Sequence, residues 1–216
     1  MRFTVEEAQD GSQRREQPPL VPLSLDISGD PQVPRPAVAI GDRCSCCGLR
    51  TMKLWDGARS GAPESTPVCT HCYLAGHLDS PSAAHGRLAY LPGLAMTDAH
   101  HLQRMALLAI NAGTKSERRQ GLRVWRSLLL HAREVEASWG TARAGEFAAA
   151  MKRLTPSKRA DLQRRLSGCA LILPPDAIED LSLQLPTGKS VAAVLASRSW
   201  NTYTGSDLYV ETSAMA

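Results

Sequence analysis

Long hydrophobic runs are missing from this sequence of 216 residues, in which no stretch of 18 or more apolar residues occurs. A membrane-spanning helix needs about 20 such residues, so none is predicted. The opening segment MRFTVEEAQDG has acidic side chains where a secretory signal peptide has its apolar segment. We therefore expect a cytoplasmic protein with reduced cysteines, which meets a membrane only through a partner.

Aromatic side chains are scarce as well, at 5% of the residues. Proteins that bind single-stranded nucleic acid stack the bases on aromatic rings, so the composition argues against that function class. Hydrophobic residues nevertheless make up 43% of the chain. This fraction is enough for an ordinary core, and the length suits one domain or two small ones.

Catalytic and nucleotide-binding motifs are missing too. The sequence has no GxSxG nucleophile elbow. The string TGKS at residues 187–190 is similar to the end of a phosphate-binding loop, but that loop needs a glycine where Leu183 stands. His100 and His101 are neighbours on a predicted helix and point about 100° apart, so they cannot both face one metal ion. We expect structural roles for both histidines.

Four of the six cysteines form two CxxC pairs, Cys44/Cys47 and Cys69/Cys72, with 21 residues between the pairs. Each CxxC turn brings two thiolates close together, and two turns supply the four sulfurs of a closed structural zinc site. Gly48 follows the first pair, where such a turn often needs an open backbone. The spacing predicts one structural zinc ion with these four ligands. Ordinary buried thiols or a disulfide framework are the alternative.

Other possible ligands lie near these pairs. Cys46 and His71 are inside the pairs and could compete as ligands, although Cys46 gives a spacing that fits the turn less well. Cys169 lies in the apolar run CALIL and is expected in the core. His77 and His85 follow the second pair, and we expect them on loops or at the surface.

Proline content and hydrophobic periodicity divide the chain into four predicted segments. They are a proline-rich, partly flexible segment (residues 1–37), a zinc-binding module (38–90), a helical part packed on it (91–200) and a polar, frayed tail (201–216). Apolar residues alternate over residues 21–27 and predict a short strand there. The predicted fold class is α+β, with a ββα-like zinc module followed by an all-helical C-terminal part.

Apolar residues spaced by three and four predict four main helices in the C-terminal part. They run from an N-cap at Thr97 to Gly113, from an N-cap at Ser116 to Gly140, through Phe147, Met151 and Leu154, and from Thr155 to Gly168. The run CALILPPD is expected to be extended. Two further short helices are expected within AIEDLSLQL and GKSVAAVLASRSW.

Basic side chains concentrate in residues 115–168, which carry 13 basic and 5 acidic residues of a chain with a net charge of +4. The run KSERRQGLRVWR could bind an acidic partner peptide through Arg118, Arg119, Arg123 and Arg126. It could also bind nucleic-acid phosphates, or it could be a solvated helix face. The sequence leaves these three interpretations open.

Two CxxC pairs also bracket the ββα catalytic finger of HNH nucleases. That chemistry needs a histidine base and further ligands within the finger, so that a catalytic metal sits at the scissile phosphate. Between Cys47 and Cys69 this sequence has neither histidine nor asparagine, and Tyr73 stands where that class usually has a histidine. We therefore predict an HNH-like but catalytically degenerate module that is not an enzyme.

Several segments in order resemble the IcmJ (DotN) family of type IVB secretion systems over roughly residues 40–175. They are DRCSCCGL, VCTHCY, LAYLPGLAMTDAHHLQRMALLAI, HAREVEASWGTARAGEFAAAMKRL and a later LILP. Members of that family look like HNH nucleases that lost their catalytic residues and kept a four-cysteine zinc site. Carried over by position, the ligands are again the four cysteines of the two pairs.

This resemblance implies a non-enzymatic adaptor in a cytoplasmic coupling complex. The implied partners are the C-terminal tail of a DotL-like coupling ATPase and other subunits of the complex, which would hold the protein at the inner-membrane secretion machinery. The alternative is a nucleic-acid-binding zinc protein or an HNH-type nuclease with residual activity. A zinc-containing transcriptional regulator is a third interpretation.

Overall fold

Helices and two small antiparallel sheets form the computed structural model, which describes residues 20–28, 36–57 and 66–211. In chain order the elements are β1 (Trp55–Asp56), β2 (Pro67–Val68), α1 (Thr70–Gly76), α2 (Pro81–Ala84), β3 (Arg87–Tyr90), α3 (Met96–Ala112), α4 (Lys115–Leu130), α5 (Ala132–Trp139), α6 (Ala144–Lys152), α7 (Pro156–Arg165), β4 (Cys169–Ile172), a 3-10 turn (Leu181–Leu183), α8 (Val191–Leu195) and α9 (Asn201–Thr204). The predicted mixture of helices and strands is confirmed. Expectations for residues 1–19, 29–35, 58–65 and 212–216 lie outside the described residues.

The ladder of β3 and β4 lies between two hydrophobic cores. Side chains alternate between the two faces of a strand. Leu88 and Leu171, which are partners in the ladder, belong to the core that also holds the CxxC cysteines. Ala89 and Ala170, the next pair, belong to the core built by α3, α4, α8 and α9. The ladder therefore joins the cysteine-containing part of the chain to the helices.

A strand within the C-terminal part shows that the all-helical expectation is wrong. β4 follows α7, and all four of its residues are buried. Its partner β3 comes much earlier in the chain, and no local pattern reveals such a pairing. The side chain of Gln103 completes the ladder: its amide donates to the Leu171 carbonyl at 3.0 Å, and its Oε1 accepts from the Leu173 N–H.

The main helices are present, but two of them begin at other caps than predicted. Ala95, and not Thr97, is the N-cap of α3. α4 is capped by Thr114 instead of Ser116, because the Thr114 hydroxyl accepts from the Glu117 N–H while the Glu117 carboxylate accepts from the Thr114 N–H. This reciprocal capping box satisfies two backbone donors at once, which explains why the helix starts earlier.

The helix predicted to run to Gly140 is divided at His131 into α4 and α5. Gly140 ends α5 with a φ of 77°, a left-handed backbone that favours glycine. The third and fourth predicted helices are α6 and α7, and the last two predictions correspond to the 3-10 turn and α8. Within the part of the chain that the structure describes, no helix combines the length and the apolarity that crossing a membrane requires.

Residues 20–28 run as an extended segment without the predicted strand. Burial does not alternate along it, because the neighbours Leu25 and Asp26 are both buried. The Asp26 N–H donates to the Ala75 carbonyl at 3.0 Å, and the Asp26 carbonyl accepts from the Leu78 N–H at 2.8 Å. The segment therefore pairs with the end of α1 and the chain after it, and the strand prediction is wrong.

The tail predicted at residues 201–216 is packed on the helices as far as the structure describes it. Tyr203 of α9 is 2% exposed, and its hydroxyl shares a hydrogen bond of 2.9 Å with Ser127 of α4. The same serine oxygen accepts from the Val210 N–H at 3.0 Å, and His131 Nε2 donates to a backbone carbonyl of this segment at 2.8 Å. The frayed tail is therefore a wrong prediction for these residues.

α4 lies very close to α3 at Gly121. A Cβ at this position would lie 2.7 Å from the Ala106 carbonyl oxygen and 2.9 Å from the Ala109 Cβ. Backbone cannot yield as a flexible side chain can, so only glycine allows this distance between the two helices.

We predict that Gly121→Ala lowers the free energy of unfolding by about 1–3 kcal/mol, the usual cost of overpacking. On an exposed helix the same change would be stabilising by up to about 1 kcal/mol. Urea denaturation measures the difference. Gly76→Ala is the control, because its Cβ would meet nothing within 4 Å; an unchanged or raised stability of Gly121→Ala would contradict the close approach.

Candidate metal centre

The four cysteines of the two CxxC pairs come together in the structure. The sulfurs of Cys44, Cys47, Cys69 and Cys72 all lie within 4.8 Å of one another, and each residue is at most 8% exposed. A tetrahedral zinc ion with Zn–S bonds of about 2.3 Å places its sulfurs about 3.8 Å apart. The Sγ atoms of Cys47 and Cys69 are 3.6 Å apart, so the donor set and its spacing fit a single zinc ion.

The first pair lies on a tight turn that its backbone holds closed. The Cys44 N–H donates to the Leu49 carbonyl at 2.8 Å, and the Gly48 N–H donates to the Cys44 carbonyl at 3.0 Å. Gly48 has a φ of 73°, the left-handed backbone expected for this position. The Cys47 N–H donates to the Cys44 sulfur, with 3.5 Å between nitrogen and sulfur. This contact favours the thiolate form of Cys44.

The second pair lies at the start of α1, where Cys69 is the N-cap and Cys72 is in the first turn. The β1–β2 ladder positions this helix start, since Trp55 of β1 donates from Nε1 to the Thr70 hydroxyl at 3.0 Å. The CxxC turn of Cys44 and Cys47 is joined to the same ladder, because the Ser45 N–H donates to the Pro67 carbonyl at 2.8 Å. The two pairs are therefore held together by backbone and side-chain contacts as well as by any metal.

The competing ligands proposed from the sequence lie outside this group. Cys46 and His71 are both buried, but neither belongs to the set of four. Cys169 lies 5% exposed in the core, as expected, and burial raises the pKa of its thiol to about 11. None of the cysteines that the structure describes forms a disulfide.

The two histidines beyond the second pair have different environments. His77 is buried, contrary to the expected loop or surface position: its ring stacks on Tyr73 with 3.9 Å between centroids, and its Nδ1 donates to the Tyr73 carbonyl at 2.8 Å. His85 is exposed, as expected. Neither histidine belongs to the cysteine group.

Protonation of the four thiols is strongly interdependent. The Cys46 thiol holds the pKa of Cys44 below its usual range, helped by hydrogen bonds from the other cysteines. Contact with Cys44 raises the pKa of Cys69 and of Cys72 well above the usual range. Without a cation, then, the four cannot all be thiolates at neutral pH. A divalent cation removes this conflict because it stabilises every coordinating thiolate.

Three side chains of α3 that the sequence analysis did not assign to the site lie against it. His100 Nδ1 is 3.7 Å from the Cys72 sulfur, and His101 Nε2 donates to the Cys47 carbonyl at 2.9 Å. Arg104 donates from Nη1 to His101 Nδ1 at 2.8 Å. The signal in the sequence is the spacing of 100, 101 and 104, which places three basic or imidazole side chains on one side of the helix.

Burial determines the charge of the histidines in this layer. It lowers the pKa of His100 to about 3 and that of His101 to about 4, with Arg104 adding to both shifts, and it lowers the pKa of His71 well below the usual value. These histidines are therefore neutral at neutral pH. Arg104, by contrast, is a permanent positive charge close enough to Cys47 to favour its thiolate.

Comparison with known proteins gives no relative from which to assign the site: no protein-family model matches the sequence, and no curated protein does. A metal centre is therefore indicated by the four sulfurs, their spacing and the groups around them.

We predict that the purified protein holds one zinc ion per chain and that Cys69→Ser loses it. The loss should lower the melting temperature strongly, because four-thiolate zinc binding contributes on the order of 10 kcal/mol to the folding of small modules. Metal analysis and thermal denaturation measure the two effects. Cys169→Ala is the matched control and should keep its zinc; a zinc-free parent, or a Cys69→Ser variant with full zinc and an unchanged melting temperature, would contradict the prediction.

Proposed function

We propose that this protein is a non-enzymatic adaptor whose zinc ion is structural, similar in role to the IcmJ (DotN) subunits of type IVB coupling complexes. One observation carries the non-enzymatic part: four buried cysteine sulfurs converge on one point. Four thiolates complete the tetrahedral shell of zinc, whereas catalytic zinc sites keep one position for water or substrate. The zinc in such a site contributes to folding instead of chemistry.

The order of elements around the cysteines supports an HNH-like origin for this module. The first CxxC turn precedes the antiparallel β1–β2 ladder, and the second lies at the start of the helix α1 that follows it. The two strands lie between the cysteine pairs and the helix begins at the second pair, an order similar to the ββα module that the resemblance implies. The stretch between Cys47 and Cys69 has no histidine to act as a base, so we propose that the finger is catalytically degenerate.

The alternative function, a nuclease, needs a second set of ligands for a catalytic metal. Among the residues described by the structure, the four cysteines are the one group of three or more close histidine, cysteine or acidic ligands. This supports the adaptor over the nuclease. The proposed location follows the proposed partner: cytoplasmic, and held at the inner membrane by the secretion complex.

The proposed partner-binding surface is the exposed side of α4, which carries Arg118, Arg119, Arg123 and Arg126. The one acidic residue of this helix, Glu117, is engaged in the capping box. Ion pairs found among the described residues use other cations, among them Arg87, Lys152 and Arg159. Four exposed arginines that form no ion pair within the described part of the chain suit an acidic segment of a partner.

We predict that the zinc-loaded protein binds the C-terminal extension of the coupling ATPase from its own host. The complex should be visible by co-purification and by size-exclusion chromatography. Cys69→Ser should lose both zinc and binding, while Cys169→Ala should keep both. A protein that carries zinc but does not bind the extension, or that cleaves DNA when a divalent metal is added, would contradict the proposed function.

We predict that reversing the charge of two α4 arginines, as in Arg119→Glu with Arg123→Glu, weakens this complex about tenfold or more at low salt. The effect should shrink at high salt, where the screening length falls to a few ångströms. Fluorescence anisotropy with a labelled extension peptide measures the affinity. Arg153→Glu with Lys158→Glu, which reverses two exposed charges outside α4, is the control. Equal losses of affinity in both variants would show that α4 is not part of the interface. Tight, salt-sensitive DNA binding by the parent protein would indicate that its partner is nucleic acid.

A further inference from the structure

Arg104 is a buried cation that forms no ion pair with a carboxylate of residues 20–28, 36–57 and 66–211. The residue is 5% exposed, and its Nε and Nη2 atoms have no hydrogen-bond partner among the residues that the structure describes. Its one hydrogen bond, from Nη1, goes to Nδ1 of His101, which accepts it and therefore carries no proton. A buried charge is costly unless an opposite charge compensates it. The position of Arg104 therefore requires an anion nearby.

The four cysteines supply such an anion once they bind zinc. Four thiolates and one divalent cation carry a net charge of −2, and the whole group is buried. Within the described residues, no ion pair or carboxylate hydrogen bond places an acidic side chain on Arg104. A buried dianion beside an uncompensated buried cation is the arrangement that satisfies both.

The contacts of α3 connect the two charges in a defined way. Arg104 holds Nδ1 of His101 as an acceptor, so the proton of that ring is on Nε2, which donates to the carbonyl of the ligand Cys47. His100, one helical turn before Arg104, has its Nδ1 3.7 Å from the sulfur of the ligand Cys72. α3 thus reaches one ligand from each CxxC pair.

We infer that Arg104 is the charge-balancing partner of a zinc tetrathiolate, positioned through His101, and that it sets how tightly the protein holds its metal. The inference depends on the zinc site of the proposed function. It assigns α3 a second role beside packing, since the same helix that contacts α4 also compensates the metal centre. Loss of the metal would leave Arg104 as an unpaired charge in the core.

The test replaces Arg104 in the full-length protein by methionine, which removes the charge, and by lysine, which keeps it. Zinc affinity is measured by competition with a chromogenic chelator. Arg104→Met should bind zinc 10- to 100-fold more weakly, the usual effect of losing a group that supports metal ligands. Arg104→Lys should stay within about threefold of the parent, as should the control Arg126→Met, whose arginine is exposed.

Two further readouts separate charge compensation from a merely structural role. Cobalt-substituted Arg104→Met should keep the sulfur-to-metal charge-transfer bands of the parent, which shows that the same four ligands bind. In urea denaturation of the metal-free proteins, Arg104→Met should be at least as stable as the parent, because it removes an uncompensated buried cation. In the zinc-bound proteins it should be less stable.

The outcomes distinguish this inference from the metal site on which it depends. A parent protein that binds no zinc at its four cysteines refutes both. A parent that binds zinc, with an Arg104→Met variant of unchanged affinity, refutes the inference alone. Equal losses for the methionine and lysine variants would also refute it, because they would show that the shape of the arginine, and not its charge, supports the site.

Discussion

The close approach of four buried cysteine sulfurs, all within 4.8 Å of one another, is the constraint on which the rest of this structure depends, because a divalent cation at their centre would hold both cysteine pairs in place. Such a cation would add to contacts that already join two parts of the chain, the turn of Cys44 and Cys47 and the start of α1, whose apolar residues share one core. The ladder of β1 and β2 is only two residues long on each strand, too short to be stable by itself. Removing the metal would leave four buried thiols that cannot all ionise and one buried arginine without its counter-charge.

The effect of this centre extends into the helical part through two routes. One is polar: His100 and His101 of α3 each contact one cysteine pair, and Arg104 donates to the ring of His101. The other is apolar: the ladder of β3 and β4 has one face in the core that contains the cysteines and the other in the core of α3 and α4. The metal would therefore stabilise a partner surface on α4 although it does not contact that surface. This is the arrangement expected of an adaptor with a structural zinc ion.

Local chemistry decides which features could be predicted from the sequence. The CxxC spacing, the end of α5 at Gly140 and the burial of Cys169 each depend on a few neighbouring residues, and each agrees with the structure. Ser116 is also a good N-cap, so the sequence alone predicts a start of α4 two residues too late; the reciprocal bonds of Thr114 and Glu117 decide for Thr114. The pairing of β3 with β4, the burial of Tyr203 and the approach of Arg104 to the cysteines arise from packing between distant segments, which periodicity does not encode.

The most direct test of this account is X-ray absorption at the zinc edge of the protein purified from its native host. We expect a single shell of four sulfur neighbours at about 2.3 Å, with no nitrogen or oxygen in the coordination sphere. Such a spectrum would mean a closed site in which zinc has no free position for a substrate. A shell that contains nitrogen or oxygen, or a protein that holds no zinc, would contradict the structural role of the metal and with it the adaptor proposed here.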